Sequence, residues 1–214
     1  MRGPWRRRTV AAGLLAAGLW GLGGRPGSAA VAEGVVVALG DSLTAGYGVA
    51  AEEAWPALVE ARLRREGYAY RVVNAGVSGD TTAGALRRVD WVLRSRPEVA
   101  IVALGANDGL RGLPVSAMRT NLVAIVGELT GRGVRVLLAG MRVPPNYGDD
   151  YARAFAAVFP GVAREERAGL MPFLLDGVAG DPSLNQADGI HPNAAGHRVV
   201  ALHVWPYLQP LLRR

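Results

Sequence analysis

The chain has 214 residues, half of them hydrophobic, with 24 basic residues against 18 acidic ones and a formal net charge of +6. That length supports one domain with a core of its own. The sequence contains neither Cys nor Lys, which excludes disulfides, thiol nucleophiles and Cys-based zinc sites, and equally a Walker A lysine, a Schiff base or a Ser-Lys dyad.

The amino end differs from the rest. Arg2, Arg6, Arg7 and Arg8 precede an apolar stretch over Val10–Gly24, and small residues follow at Ser28, Ala29, Ala30 and Ala32. This order predicts a signal peptide over 1–32, cleaved near Ala30 or Ala32, ahead of a single domain over 33–214. The apolar stretch is short and Gly-rich, which favours removal over a stable membrane anchor; the Arg7-Arg8 pair admits a twin-arginine route. Five of the basic residues, Arg2, Arg6, Arg7, Arg8 and Arg25, lie before Glu33 and no acid does, leaving 19 Arg against 18 acids in the domain. The positive charge therefore belongs to the leader and gives no argument for a nucleic-acid partner. Arg62, Arg64, Arg65, Arg87, Arg88, Arg94 and Arg96 read as solvated helix faces.

From residue 35 onward, short apolar runs alternate with longer amphipathic ones. The predicted strands are Val35–Leu39, Tyr70–Asn74, Val99–Leu104, Val134–Ala139 and Phe173–Leu175. They lack period-two alternation, as strands buried on both faces do. The predicted helices are Ala54–Glu66, Thr82–Arg94, Ser116–Thr130 with Gly131 and Gly133 as stop signals, Asp150–Ala168, and Asn193–Leu212. This succession predicts an α/β fold: one three-layer α/β/α domain around a flavodoxin-like, parallel five-stranded sheet. In such sheets ligands lie off the carboxyl ends of the strands.

The unusual polar residues fall at those ends. Gly40-Asp41-Ser42 follows the first strand, Ser78-Gly79-Asp80 the second and Gly105-Ala106-Asn107-Asp108 the third, while Asp188-Gly189-Ile190-His191-Pro192 precedes the last helix. Ser42 is a hydroxyl at a strand end, suited to nucleophilic attack or to capping a helix. His191 is the one histidine in a loop; His197 and His203 fall in the last helix and read as packing or solvent-facing residues. A tight turn at Gly189 allows the Asp188 carboxylate to meet Nδ1 of His191 and leave Nε2 free for Ser42, or the loop pair merely caps the last helix. Asn107 offers an amide to an oxyanion or makes an Asx turn, and Gly79 offers a backbone N–H or is a simple turn glycine. Tyr147, Tyr151, Phe155 and Phe159 recur every four residues, as core packing or as the wall of an acyl groove.

Taken together the four blocks resemble the GDSL/SGNH hydrolase family. The resemblance implies Ser42 as nucleophile, Asp188 and His191 as its triad partners, and Ser42, Gly79 and Asn107 as the oxyanion hole. Ala54-Trp55-Pro56-Ala57-Leu58, Asn107-Asp108-Gly109-Leu110-Arg111-Gly112 and Pro144-Pro145-Asn146-Tyr147-Gly148 are similar to the thioesterase I/lysophospholipase L1/arylesterase subgroup. That likeness implies an exported enzyme without cofactor or metal that cleaves small acyl esters, thioesters or lysophospholipid, with substrate contacts at Leu110, Pro145, Tyr147 and Ile190. Gly-Ala-Asn-Asp departs from the subgroup's Gly-Gly-Asn-Asp, and Gly177–Ala187 is less similar. Three other readings stand beside this one: a carbohydrate O-deacetylase on the same fold, a flavodoxin-like ligand-binding domain, and a metal-dependent hydrolase using Asp188 and His191. The loop after Ser42 lacks the Gly-x-Gly-x-x-Gly that the second of these requires.

Overall fold

Strand β1 (Gly34–Gly40) is buried at every position. Such a run of Val, Ala and Leu has no solvent-facing side, and the sheet uses it as its centre. β1 pairs in parallel with β2 (Tyr70–Gly76) on one edge and with β3 (Val99–Ala103) on the other. β3 continues to β4 (Arg135–Ala139) and β4 to β5 (Gly169–Met171), giving a parallel sheet in the order β2-β1-β3-β4-β5. The computed structural model describes residues 34–214, together with Met1; the predicted leader otherwise lies outside the described residues.

From β1 the chain steps outward to β2 and then returns past β1 to β3, β4 and β5. Right-handed crossovers therefore place the helices on opposite faces. Helix α2 (Trp55–Arg65) makes the first crossover, and α1 (Ser42–Ala45) is a single turn before it. α3 (Thr82–Leu86), α4 (Val89–Leu93), α5 (Ala106–Leu110), α6 (Val115–Gly131) and α7 (Asp149–Glu165) make the later ones. α8 (Ala194–Leu208) closes on α2, while α6 packs against α3, α4 and α7. Trp55, Leu63, Phe155, Phe159, Leu122 and Leu129 fill the spaces between sheet and helices. The α/β/α expectation holds.

Two expected elements differ. The last strand is Gly169–Met171, pairing with Leu137–Ala139, and not Phe173–Leu175. Pro172 has no N–H to continue the ladder, and the chain turns so that the Leu174 N–H donates to Gly140 O at 2.9 Å. Leu174 is fully buried, so its run of apolar residues reflects the core and not a strand. The helix expected over Thr82–Arg94 is two short helices, α3 and α4, with the break at Arg87–Arg88. Arg88 leaves the helical path because its side chain is drawn inward, as described below.

α2 and α8 meet at His197. The ring is buried (1% exposed), and Nδ1 accepts the Trp55 backbone N–H at 3.3 Å. Burial disfavours the charged imidazole and lowers its pKa to about 4. The unfolded chain binds that proton near pH 6.5, so His197 withdraws stability as pH falls from about 6.5 towards about 4. His197→Asn keeps an acceptor for Trp55 but does not titrate. The Tm advantage of the wild type over this variant should shrink steadily across that window; thermal unfolding at stepped pH measures it, and a constant difference would refute the assignment.

Candidate active site

One row of the sheet fixes the site. Gly40 stands in register with Gly76 on β2 and Ala103 on β3. Ser42, Gly79 and Asn107 are the second, third and fourth residues beyond that row. All three therefore leave neighbouring strands at the same edge, beside the switch in strand order between β1 and β3. Gly40 has no room for a side chain: a Cβ there would lie 2.0 Å from Thr44 Oγ1 and 2.9 Å from Ala103 O. The absence of that side chain lets α1 fold straight back onto β1.

Asp41 caps α1. Its carboxylate is fully buried, accepts the Leu43 N–H at 3.0 Å, and accepts from Asn107 Nδ2 at 3.4 Å. Burial pushes its pKa up to about 6, against the lowering effect of these donors. Ser42, the next residue, opens the helix. Its Oγ lies 2.9 Å from His191 Nε2, and His191 Nδ1 lies 2.7 Å from Asp188 Oδ2. The other oxygen, Asp188 Oδ1, accepts the backbone N–H groups of Ile190 and His191, each at 3.0 Å. The His191 hydrogen bond, seconded by those N–H groups, holds Asp188 down to about 2. Asp188 is thus ionised beside Nδ1, which fixes the tautomer with Nε2 facing Ser42. The structure thus brings Asp188, His191 and Ser42 together in one line of contacts.

The loop carrying Gly79 is pinned from several sides. Gly79 takes φ +79°, a left-handed conformation open to glycine. The peptide after it is held at both ends: the Asp80 N–H donates to Val77 O at 3.0 Å, and Gly79 O accepts from Arg111 Nη2 at 2.8 Å. Arg88 completes the clamp. Its Nε meets Asp80 at 2.8 Å, Nη1 donates to Ala75 O at 2.7 Å, and Nη2 donates to Gly40 O at 2.9 Å. One guanidinium thus joins the ends of β1 and β2 to the Gly79 loop. The reading of Arg88 as a solvated helix residue is corrected: two strand-end carbonyls and the Asp80 carboxylate outweigh hydration of a planar five-donor group. Asp108, beside Asn107, is buried and accepts the Thr82 N–H at 2.9 Å and the Thr82 hydroxyl at 2.6 Å. This ties α5 to α3.

The residues expected to touch substrate are placed as follows. Leu110 and Ile190 are exposed. The Tyr147 hydroxyl donates to Leu110 O at 2.7 Å, and that of Tyr151 to Leu113 O at 2.9 Å. Phe155 and Phe159 are core residues, so the aromatic stripe divides: its carboxyl half packs the interior, Tyr151 packs against that core, and the hydroxyls of Tyr147 and Tyr151 reach the Leu110–Leu113 segment. Pro145 opens a short 3-10 turn over Pro145–Tyr147, but its side chain lies outside the described residues. The sequence reading missed Tyr47, whose ring centroid is 4.7 Å from that of His191 at 42°, and Gln186, which bonds to both loops of the site. An aromatic residue five positions after the nucleophile was the available signal for Tyr47; nothing in the pattern marks Gln186. His191 engages Asp188 and Ser42 through its two ring nitrogens, and among the described residues no group of three or more His, Asp or Glu is placed to hold a metal.

Comparison with known proteins shows the family and the fold. The model of the GDSL-like lipase/acylhydrolase family matches residues 38–199. Esterase TesA of Pseudomonas aeruginosa is 44% identical over 178 residues, covering 83% of this chain and 89% of that protein. Thioesterase 1/protease 1/lysophospholipase L1 of Escherichia coli K12 is 38% identical over 184 residues, covering 86% and 87%. A crystal structure of TesA superposes with a TM-score of 0.81 at 44% identity, covering 83% of this chain and 99% of that one.

Proposed function

The chain belongs to the GDSL-like lipase/acylhydrolase family and is a carboxylic ester hydrolase, and on that premise we propose that it works by two-step acyl transfer through Ser42. The observation that carries this reading is the pair of contacts at 2.7 and 2.9 Å joining Asp188 to His191 and His191 to Ser42. Nε2 takes the proton of Ser42 as Oγ attacks the ester carbonyl. The imidazolium so formed is stabilised by the ionised Asp188. It then gives its proton to the leaving alcohol or thiol, and water attacks the acyl-enzyme by the same route in reverse.

The oxyanion of each tetrahedral intermediate is assigned to the N–H groups of Ser42 and Gly79 and to Asn107 Nδ2. The Asn107 amide nitrogen has two protons. Asp41 accepts one of them, which turns the nitrogen, and not the oxygen, towards the carboxylate and leaves the second proton for the substrate. Small acyl esters and thioesters are assigned as the substrates, and the lysophospholipase name of the Escherichia coli relative extends the range to lysophospholipid. Leu110, Ile190 and Tyr147 border the space beside the triad and are assigned to the acyl chain.

The enzyme is assigned to the periplasm or the medium on the basis of the leader pattern over 1–32. Among the described residues, no helix is long and apolar enough to cross a membrane. Amino-terminal sequencing of the exported protein should begin at Val31 or Glu33; an intact Met1 on exported material would overturn the cleavage assignment.

Ser42→Ala should lower turnover of p-nitrophenyl acetate by at least about four orders of magnitude. Asn107→Ala should cost about 10²–10³ in kcat, as loss of one oxyanion donor does. Wild-type turnover in the Ser42 variant would sink the mechanism. Tyr147→Ala should alter the ranking of p-nitrophenyl esters from acetate to laurate; an unchanged profile removes Tyr147 from the acyl site.

A further inference from the structure

Ser42 and His191 are 149 residues apart in sequence. The contact between them depends on how two separate loops are held together. The turn around Asp188 settles only the local part, by orienting the imidazole within its own loop. Between the segment carrying Ser42 (41–50) and the segment carrying His191 (177–193), the described residues make two hydrogen bonds. One is the Ser42–His191 contact itself. The other runs from Gln186 Nε2 to the backbone carbonyl of Tyr47 at 2.7 Å.

We propose that Gln186 is a positioning residue that sets the reach of His191 onto Ser42, by tying the His191 loop to the chain just beyond the nucleophile. This inference rests on the acyl-transfer reading above. Four observations converge on it. The same Nε2 also donates to Pro192 O at 2.9 Å, so both amide protons are committed to carbonyl oxygens and the orientation of the amide is fixed. The Gln186 backbone N–H donates to His191 O at 2.8 Å, which joins the tie directly to the catalytic residue. Gly48, at φ +77°, keeps the approach open: a Cβ there would lie 2.1 Å from Gln186 Oε1. The Tyr47 ring lies against the imidazole, so one residue meets the His191 loop through its carbonyl and its ring at once. Gln186 touches neither the nucleophile nor the space where a carbonyl would sit; it acts through His191.

Gln186→Met keeps the length of the side chain and removes both donors. Gln186→Glu keeps its shape and sets an ionised carboxylate against two carbonyl oxygens. Both are assayed on p-nitrophenyl acetate, with kcat counted per active site after exhaustive titration with a fluorophosphonate, so that misfolded protein does not enter. For Gln186→Met, kcat should fall on the order of 10–100-fold while KM stays within about threefold, as expected for loss of alignment without loss of binding. The Glu variant should fall at least as far. Wild-type kcat per titrated site in the Met variant would overturn the proposal, even if the titratable fraction or the Tm dropped, because that pattern is a purely structural role. A change confined to KM would overturn it too. Ser42→Ala and His191→Ala run alongside: if they retain turnover, the acyl-transfer reading fails, whereas if they lose it and Gln186→Met does not, only the tie fails.

Discussion

β1 is buried along its whole length and hydrogen-bonded on both edges, so its register cannot shift without turning apolar side chains into the wrong layer. That constraint reaches the active site directly. Because Gly40 is aligned with Gly76 and Ala103, the chain leaves three adjacent strands along one line. Ser42, Gly79 and Asn107 then need only short excursions to stand on one rim. Arg88 reinforces the line where β1 and β2 end, adding a second donor to the Gly40 carbonyl, which also accepts the Val77 N–H at 3.0 Å. Its three hydrogen bonds serve Gly40, Ala75 and Asp80 together. The geometry of the proposed site is to this extent a by-product of the sheet register.

The proposed triad joins two kinds of order. Asp188 and His191 are three residues apart, and the turn between them brings its own backbone donors to the carboxylate. Such a unit depends little on the rest of the fold. The approach of His191 to Ser42 is different, because it closes a loop of 149 residues and its precision must come from tertiary structure. α8 docks on α2 through His197 and Trp55, which carries the His191 loop to the correct side of the sheet. The Gln186–Tyr47 bond then acts at the site itself.

Where the sequence was legible, the information was local. Val35–Leu39 and Val99–Leu104 announce central strands because no residue in them tolerates water. The site was legible because a parallel sheet puts its ligand at strand ends, and Ser42, Gly79 and Asn107 directly follow strands. Asp188 and His191 were legible as a turn. What escaped depends on contacts between distant segments. Arg88 has the same sequence environment as its exposed neighbour Arg87, and only the position of the β1 and β2 carbonyls distinguishes them. Phe173–Leu175 mimics a strand because Leu174 is a core residue, and Pro172 alone hinted that the ladder had ended. Gln186 is one polar residue in a polar loop, and its role exists only once Tyr47 lies opposite.

Two carboxylates stand near the imidazole, and their surroundings push them apart in acidity, as sites that assign separate roles to like groups do. Asp188 is partly exposed yet strongly acidic, because the imidazole and two backbone N–H groups stabilise its charge. Asp41 is buried and weakly acidic, because desolvation outweighs the few donors that reach it. Burial alone would suggest the inner carboxylate as the partner of His191, since the field of a charge is stronger away from water. The hydrogen bonds decide otherwise: Asp188 faces Nδ1, while Asp41 faces Leu43 and Asn107. The full negative charge therefore sits at the solvent edge, where its ionisation costs little, and steadies the imidazolium. The interior carboxyl holds its charge less readily, because burial raises its pKa to about 6. It is placed to orient rather than to pair: its oxygen accepts from Asn107 Nδ2 and so sets the direction of the amide that is proposed to meet the oxyanion.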